Sequence, residues 1–316
     1  MTGFASSSGH SGLASTPLAR PNYYETIIDR NWSSEFLPEI TNTRIDERLF
    51  QCGQTVNFMR AGHVAPWRKY ERNQHIVPDQ LAPDSFYMSI CNQGYKAFKF
   101  EKADIREACD RWASFEDSFL MSSYELLAEM WRTYVLGAMI LETSRFNKGV
   151  KAGRFRNINL GDLGAPVLIT PDNLITNLSK LRTVLQYAKR WVAGEMFLIV
   201  PVGFEAIIAN SAYAHQLGCC DPSNSVLVNG MIADKLFGFK VIEQDLLAPV
   251  TEAAAPSGIA HYVIAGWSEA YAFAGDIIDA EIRPVEGSFG IQYQMLAAWG
   301  GRAIYPNALA VAYWTY

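Results

Sequence analysis

The sequence predicts an α+β chain organised around one long helix, with strands gathered before and after it. Three observations predict this. Asp104 to Glu142 is a 39-residue stretch with no proline and a single glycine, Gly137. Within it Cys109, Trp112, Phe115, Phe119, Ser123, Leu127, Met130 and Tyr134 recur every three or four positions and share one helix face. Strand-like runs cluster on either side without the regular strand–helix alternation of a doubly wound sheet, which is not expected. At 1.5 Å per residue the helix would be roughly 55–60 Å long, well past the usual three or four turns. Asp104 reads as its N-cap, with Glu107 as the capping-box partner.

The elements follow in order. Residues 1–20 are rich in Ser, Gly, Ala and Thr and lack the apolar content of a core, and residues 21–53 read as an arm lying on other structure. Thr55–Phe58 has strand character. Proline and charge then punctuate residues 65–84, and Ser85–Cys91 returns as a strand with Phe86, Met88 and Ile90 on one face. The residues between these strands lack apolar surface for a core of their own, so they form a projecting hairpin that packs on a neighbouring subunit. Tyr95–Phe100 is a further strand leading into the long helix. Arg145–Arg156 is a basic, glycine-containing loop. Thr170-Pro171-Asp172 opens a second helix through about Lys189, with threonine as N-cap and Leu174, Leu178, Leu181, Leu185 and Ala188 as its buried stripe. Met196–Val200 is a buried strand, and Pro201 starts a third helix carrying Phe204, Ile207 and Ile208. Asn229-Gly230 marks a turn, and Gly238 opens another strand. His261–Ala265 is a strand followed by a short helix at Trp267–Phe273. Residues 277–285, 291–299 and 309–315 are strands.

Bulk properties bound the function. Apolar residues make up 49% of the 316 and aromatic residues 13%, enough for large cores and about two domains. The net charge of −5 is unevenly spread: residues 104–142 hold three basic and eight acidic groups, 143–198 nine and three, 199–316 four and eleven. No net basic domain of the kind that reads DNA sequence dominates. Cys52, Cys91, Cys109, Cys219 and Cys220 have no CxxC spacing, so reduced thiols are expected rather than a disulfide framework or zinc ribbon. The first 20 residues carry no basic residue before Arg20 and no apolar core, so no signal peptide is expected. The most apolar run, Met196–Phe204, is too short to span a bilayer, so a soluble protein without a membrane partner is expected.

Candidate chemistry is sparse. His63 and His75 lie in the hairpin without cysteines or paired acids, which argues against a metal. Asp276, Asp279 and Glu281 could form a carboxylate cluster, but period-two alternation places Asp276 on the opposite strand face from the other two. Cys219-Cys220 near His215 reads as a turn before Asp221-Pro222 rather than as a thiol nucleophile. Asn31-Trp-Ser33 and Asn177-Leu-Ser179 match the glycosylation triplet by chance frequency. No phosphate-binding, nucleophile-elbow or metalloprotease motif is present. No catalytic, cofactor or metal residue is assigned, and the pattern favours a structural role over an enzyme. Five basic groups, Arg145, Lys148, Lys151, Arg154 and Arg156, could face a neighbour's acidic surface or phosphate.

The order of elements resembles the major capsid protein of tailed double-stranded-DNA bacteriophages, the Hong Kong 97-type fold, over roughly residues 20–316. The layout of arm, extended loop and long spine helix is similar to that family. So are local signatures: Arg190-Trp-Val-Ala-Gly-Glu-Met-Phe-Leu-Ile-Val-Pro201 with the Val202–Ile208 segment, the glycine-punctuated step Val228–Val241, the segment Ala265–Phe273 as a short late helix, and the closing Gly301–Val311. The resemblance implies an N-terminal arm (1–53), an extended loop (54–95), a peripheral domain (96–190 and 280–316, with spine helix 104–142) and an apical domain (191–279). It implies self-association into hexamers and pentamers that close an icosahedral shell, assembled in the bacterial host cytoplasm and found in the virion. Implied partners are a scaffolding protein and portal during assembly, non-specifically held double-stranded DNA, and a decoration protein. Pro66, Trp67, Arg68, Lys69 and Tyr70 would make intersubunit contacts. Some members crosslink through a lysine on the extended loop; Lys69 stands in that segment, but no partner asparagine can be chosen and no crosslink is expected. Rival readings are an encapsulin-type compartment shell of the same fold and a soluble α+β enzyme with an unrecognised site.

Overall fold

The structure, a computed structural model, describes residues 36–42, 55–60, 68–69, 72, 75–76, 78, 84–108, 112–211 and 235–316. Two sheets and one long helix organise it. The larger sheet is mixed, in the order β4 (Val167–Leu168), β12 (Leu309–Thr315), β9 (Ile259–Trp267), β5 (Met196–Pro201), β7 (Phe239–Gln244) and β6 (Lys235–Leu236), with β8 (Val250–Thr251) paired to β9. β5 runs parallel to β7 and antiparallel to β9. Its six residues are all buried, because successive side chains enter opposite faces and both faces are covered.

Met196, Leu198 and Val200 meet Leu174, Leu178, Leu181 and Leu185 of helix α4 (Leu174–Tyr187). Phe197 and Ile199 meet Val135, Leu136 and Met139 of the long helix α3 (Trp112–Glu142), together with Leu37 and Ile40 from α1 (Leu37–Ile40) and Phe36 just before it. Each such fully buried aliphatic contributes on the order of 2 kcal/mol. Helix α5 (Phe204–Ala209) closes the end of β5 with buried Phe204 stacked on Trp314 at 6.0 Å.

The smaller sheet is antiparallel, in the order β10 (Tyr271–Pro284), β11 (Gly290–Ala303), β3 (Asn92–Glu101). β3 alternates between half-buried and exposed, and its inner residues Phe98 and Phe100 join Tyr293 and Phe119 of α3 in a ring cluster with centroids 4.4–6.0 Å apart. The hairpin β1 (Thr55–Arg60) and β2 (Asp84–Ser89) pairs in register from Thr55↔Ser89 to Arg60↔Asp84. It leads through Ile90 and Cys91 into β3, with Met88 and Ile90 buried as expected.

Several expectations are corrected. The long helical span is described as α2 (Lys102–Ala108) and α3, with residues 109–111 outside the described residues. Asp104 lies inside α2 rather than at its N-cap. The helix instead begins directly after β3, where Lys102 N donates to Phe289 O at 3.1 Å on the β10–β11 turn. Met130 is exposed, and the deepest residues of α3 are Val135, Leu136 and Met139. Thr170 does not cap α4. Thr170 N donates to Asn173 Oδ1 at 2.9 Å and Thr170 O accepts from Asn173 N and Leu174 N, so a turn precedes a helix that starts at Leu174. Pro201 ends β5 and α5 begins at Phe204. Trp267–Phe273 is not a helix: only Ser268–Ala270 makes a 3-10 turn, and Tyr271 onward pairs with β11. The strand expected at 309–315 is β12, between β4 and β9 in the larger sheet. The Asn229-Gly230 turn lies outside the described residues.

Gly161 has φ +87°, and a Cβ there would stand 2.1 Å from the Tyr313 carbonyl oxygen. Gly161→Ala is expected to cost about 2 kcal/mol or more through left-handed strain and backbone displacement, read as a lowered midpoint in chemical denaturation. Glu252, after β8, accepts from Gly164 N at 2.8 Å, Ala254 N at 3.3 Å and Tyr313 Oη at 3.5 Å. The Gly164 amide above all, then that of Ala254, holds its carboxyl below the ordinary range. A lowered folded-state value means that its stabilisation is present at neutral pH and is lost as pH falls through that value. The stability gap between wild type and Glu252→Gln should therefore be widest near neutrality and close in acid, measured by unfolding across pH.

Candidate functional site

The hairpin ladder ends at Arg60↔Asp84, and most of the residues between these two lie outside the described residues. Of the expected contact residues, Arg68 and Lys69 are exposed, while Pro66, Trp67 and Tyr70 lie outside the described residues. Ile76 is 73% exposed. His75 is exposed, and His63, His215, Cys219 and Cys220 lie outside the described residues. Among the described residues no cluster of three or more His, Cys, Asp or Glu could hold a metal ion, and no helix is long and apolar enough to cross a membrane.

The basic loop is brought together by its attachment to the core. Asn147, buried, donates through Nδ2 to the Asn307 and Leu309 carbonyls at 2.8 Å, and Val311 N donates to Asn147 O at 3.1 Å. Lys148 turns back onto α3, donating to Ile140 O at 3.1 Å and Leu141 O at 3.2 Å. These are carbonyls of the last turn, left free by the helix end and lying at its negative pole. Lys148 is thus a helix cap, which sequence reasoning missed although a lysine just past a helix is the usual signal. Arg145 and Arg156 lie over the Phe146 ring at 5.0 and 5.4 Å. Arg154 lies over Phe155 at 6.0 Å.

Arg145, Lys148, Lys151 and Arg156 rim an open niche of about 460 Å³ whose one carboxylate is Asp162, and Arg154 is not part of its lining. The ion pairs among the described residues are elsewhere: Lys99–Glu101 and Lys240–Glu39 at 2.8 Å, and Arg283–Glu281. The loop therefore presents flat, aromatic-backed guanidinium groups with free N–H edges, suited to an anionic surface.

Asp276, Asp279 and Glu281 show how one residue changes a strand's reading. A β-bulge shifts the register between Ile277 and Asp279, so Asp276↔Ala298, Asp279↔Leu296 and Glu281↔Gln294 fall on the same parity. The expected separation of Asp276 from the other two is thereby overturned. All three belong to the face of the smaller sheet turned away from α3, where Glu281 pairs with Arg283. Asn177 of the glycosylation triplet is buried in α4 and donates to Asn173 O at 3.1 Å.

The outer side of α3 was not foreseen. Met121 and Leu141 are 60% and 78% exposed, and Tyr124, Leu126 and Met130 are exposed too. A groove of about 700 Å³ runs along it, lined by Leu126, Met130, Thr133, Gly137 and Leu141 and walled by Asn92 and Trp299. The signal in the sequence was an excess of apolar residues outside the single stripe, which a helix facing one core does not need.

Lys148→Met should lower stability by about 1 kcal/mol through the lost helix-end bonds. Lys151→Met, one turn of loop further on, should leave the thermal midpoint unchanged.

No protein-family model and no curated protein matches the chain. Among solved structures it is similar to a chain of Mycobacterium phage Che8, with 15% identity and a TM-score of 0.66 over 92% of this chain and 96% of that one. It is similar to the asymmetric unit of the bacteriophage PhiM1 mature capsid, with 11% identity and a TM-score of 0.60 over 92% and 91%. It is also similar to the capsid of a native GTA particle, with 12% identity and a TM-score of 0.58 over 94% and 95%. The likeness covers nearly the whole of each chain, and the chain has the Hong Kong 97-type capsid fold.

Proposed function

We propose that this chain is the major capsid protein of a tailed double-stranded-DNA phage, assembling as hexamers and pentamers into an icosahedral shell. The observation that carries this reading is coverage. The likeness takes in 92% of this chain and 91% of the PhiM1 capsid chain, so the whole architecture is shared rather than a single sheet. The work is then mechanical, with no catalytic group, cofactor or metal in it. The phage and GTA capsids among the similar structures favour a genome container over an encapsulin-type compartment.

In this reading residues 1–53 are the arm, 54–95 the extended loop, 96–190 with 280–316 the peripheral domain, and 191–279 the apical domain, with β12 lent to the apical sheet. Pro66–Tyr70 lie across a neighbour, and ordering entropy in arm and loop is offset by contacts between copies. Scaffolding protein and portal act during assembly, and a decoration protein binds outside. An acidic subunit suits a DNA container, because a strongly basic wall would hold the genome by counterion release and resist its exit. The basic loop meets a neighbour's acidic surface or the DNA backbone.

Expressed alone or with scaffolding protein, the purified chain should give closed particles tens of nanometres across, or free pentamers and hexamers, by negative-stain electron microscopy and light-scattering mass. A homogeneous monomer or dimer under both conditions would contradict the proposal. Replacing residues 61–83 by a two-residue turn should preserve the subunit's circular dichroism and melting while abolishing closed particles, since the ladder through Arg60↔Asp84 stays intact.

A further inference from the structure

The basic loop is tied down along its backbone while its charges stay free. Gly153 N donates to Phe146 O and Ala152 N to Ile158 O, both at 2.7 Å, and Leu160 N donates to Gly149 O at 3.1 Å. Arg156 N closes a turn onto Gly153 O at 3.0 Å with φ +53°, a left-handed conformation that glycine adopts without steric cost. An arginine held at such a position points to a use for its side chain. Arg145, Lys151, Arg154 and Arg156 are all exposed, and no ion pair among the described residues uses them. Phe146 backs the guanidinium groups of Arg145 and Arg156, and Phe155 backs that of Arg154 while meeting Tyr187 edge-on at 5.5 Å. The planar N–H edges are therefore set in place before any partner arrives.

We propose that this loop is the subunit's contact with duplex DNA, holding the phosphate backbone through Arg145, Lys151, Arg154 and Arg156. The contact rests on the shell reading, which puts duplex DNA against the subunit. It excludes Lys148, whose ammonium is taken by the carbonyls of the helix end. Carboxylates of a second copy are poorer partners, because many of them are already engaged within their own subunit. Glu39, Glu101 and Glu281 are in ion pairs, and Glu142, Glu195 and Glu252 accept from N–H groups. Each would have to give up those bonds first. A phosphodiester backbone has no internal partner for its charges and runs on past an open niche, so several cations engage it together. Four cations on a subunit of net charge −5 make a weak, salt-sensitive contact, which leaves the genome free to exit.

The test titrates the full chain, kept unassembled by dilution, against a fluorescent duplex of about 20 base pairs, reading anisotropy from about 50 to 200 mM salt. Log affinity should fall against log salt with a slope of about −3 to −4, near −0.9 for each of four phosphates. Arg145→Gln, Arg154→Gln and Arg156→Gln together should weaken binding at least about tenfold at the lowest salt and bring the slope to about −1. Lys148→Met should leave the slope unchanged. Lys151→Met alone should lower it by about 1 with the melting midpoint unchanged, so a folding fault cannot imitate the result. Absence of binding, a slope indifferent to the arginine changes, or an equal loss in Lys148→Met would overturn the proposal. So would arginine variants that bind DNA normally but no longer form particles, which would assign the loop to a neighbouring copy. Particle formation by the unaltered chain judges the shell reading separately. Loop-dependent DNA binding in a chain that never assembles would sink that reading and leave the contact standing, and particles from a chain whose loop ignores DNA would do the reverse.

Discussion

The structure depends on the last two turns of α3 lying against the inner face of β5. Val135, Leu136 and Met139 are the helix's buried residues in the core that holds Phe197 and Ile199, with Trp131, Tyr134, Ala138 and Ile140 packed beside them, while Phe119, four turns before Val135, belongs to the ring cluster on β3 and β11. One rigid element is therefore shared by two sheets, and Tyr271, Phe273, Trp299 and Ala303 of the smaller sheet enter the same core. Glu142, which accepts from Ala303 N, and Lys148, which caps the helix end, lock the same junction from outside the apolar contact. Removing the apolar contact would leave two sheet-and-helix layers, each with one face unburied.

That arrangement explains why the molecule carries so much exposed apolar surface. A helix that must bridge two sheets buries only part of its length deeply, and its outer side is left with Met121, Leu126 and Leu141 exposed. A monomer gains nothing from such a surface and risks aggregation; a subunit whose neighbours cover it gains interface. Function in this protein sits in which surfaces are left unfinished.

Much of this was legible in the sequence, and the misses have physical causes. The long helix, β5 and the leucine face of α4 were readable because burial on a regular element imposes a period. Helix starts were not. At α2 the first amide is taken by Phe289 O from a turn almost 190 residues later in the chain, which no local cap pattern records. At α4 the Asn173 side chain holds a turn that Thr170 and Pro171 would otherwise have opened as helix. The alanine-rich run around Tyr271 has helical composition, and pairing with β11 overrides it. The bulge at Ile278 inverted the parity of three carboxylates. Among site features, the run of basic charge was visible in sequence. The division between Lys148 as a cap and Arg145, Lys151, Arg154 and Arg156 as free groups came only from geometry. The groove along α3 is a product of tertiary structure, since Trp299 of β11 forms one of its walls.

The central claim is the proposal that this chain is a shell subunit whose exposed apolar surface on α3 is covered by a neighbouring copy. A density map of particles formed by the purified chain, at a resolution that shows helices and strands, tests this most directly. The account predicts closed particles in which density from an adjacent copy covers α3 between Leu126 and Leu141. Particles in which that face of α3 stays open to solvent, or a chain that never closes into particles, would contradict it.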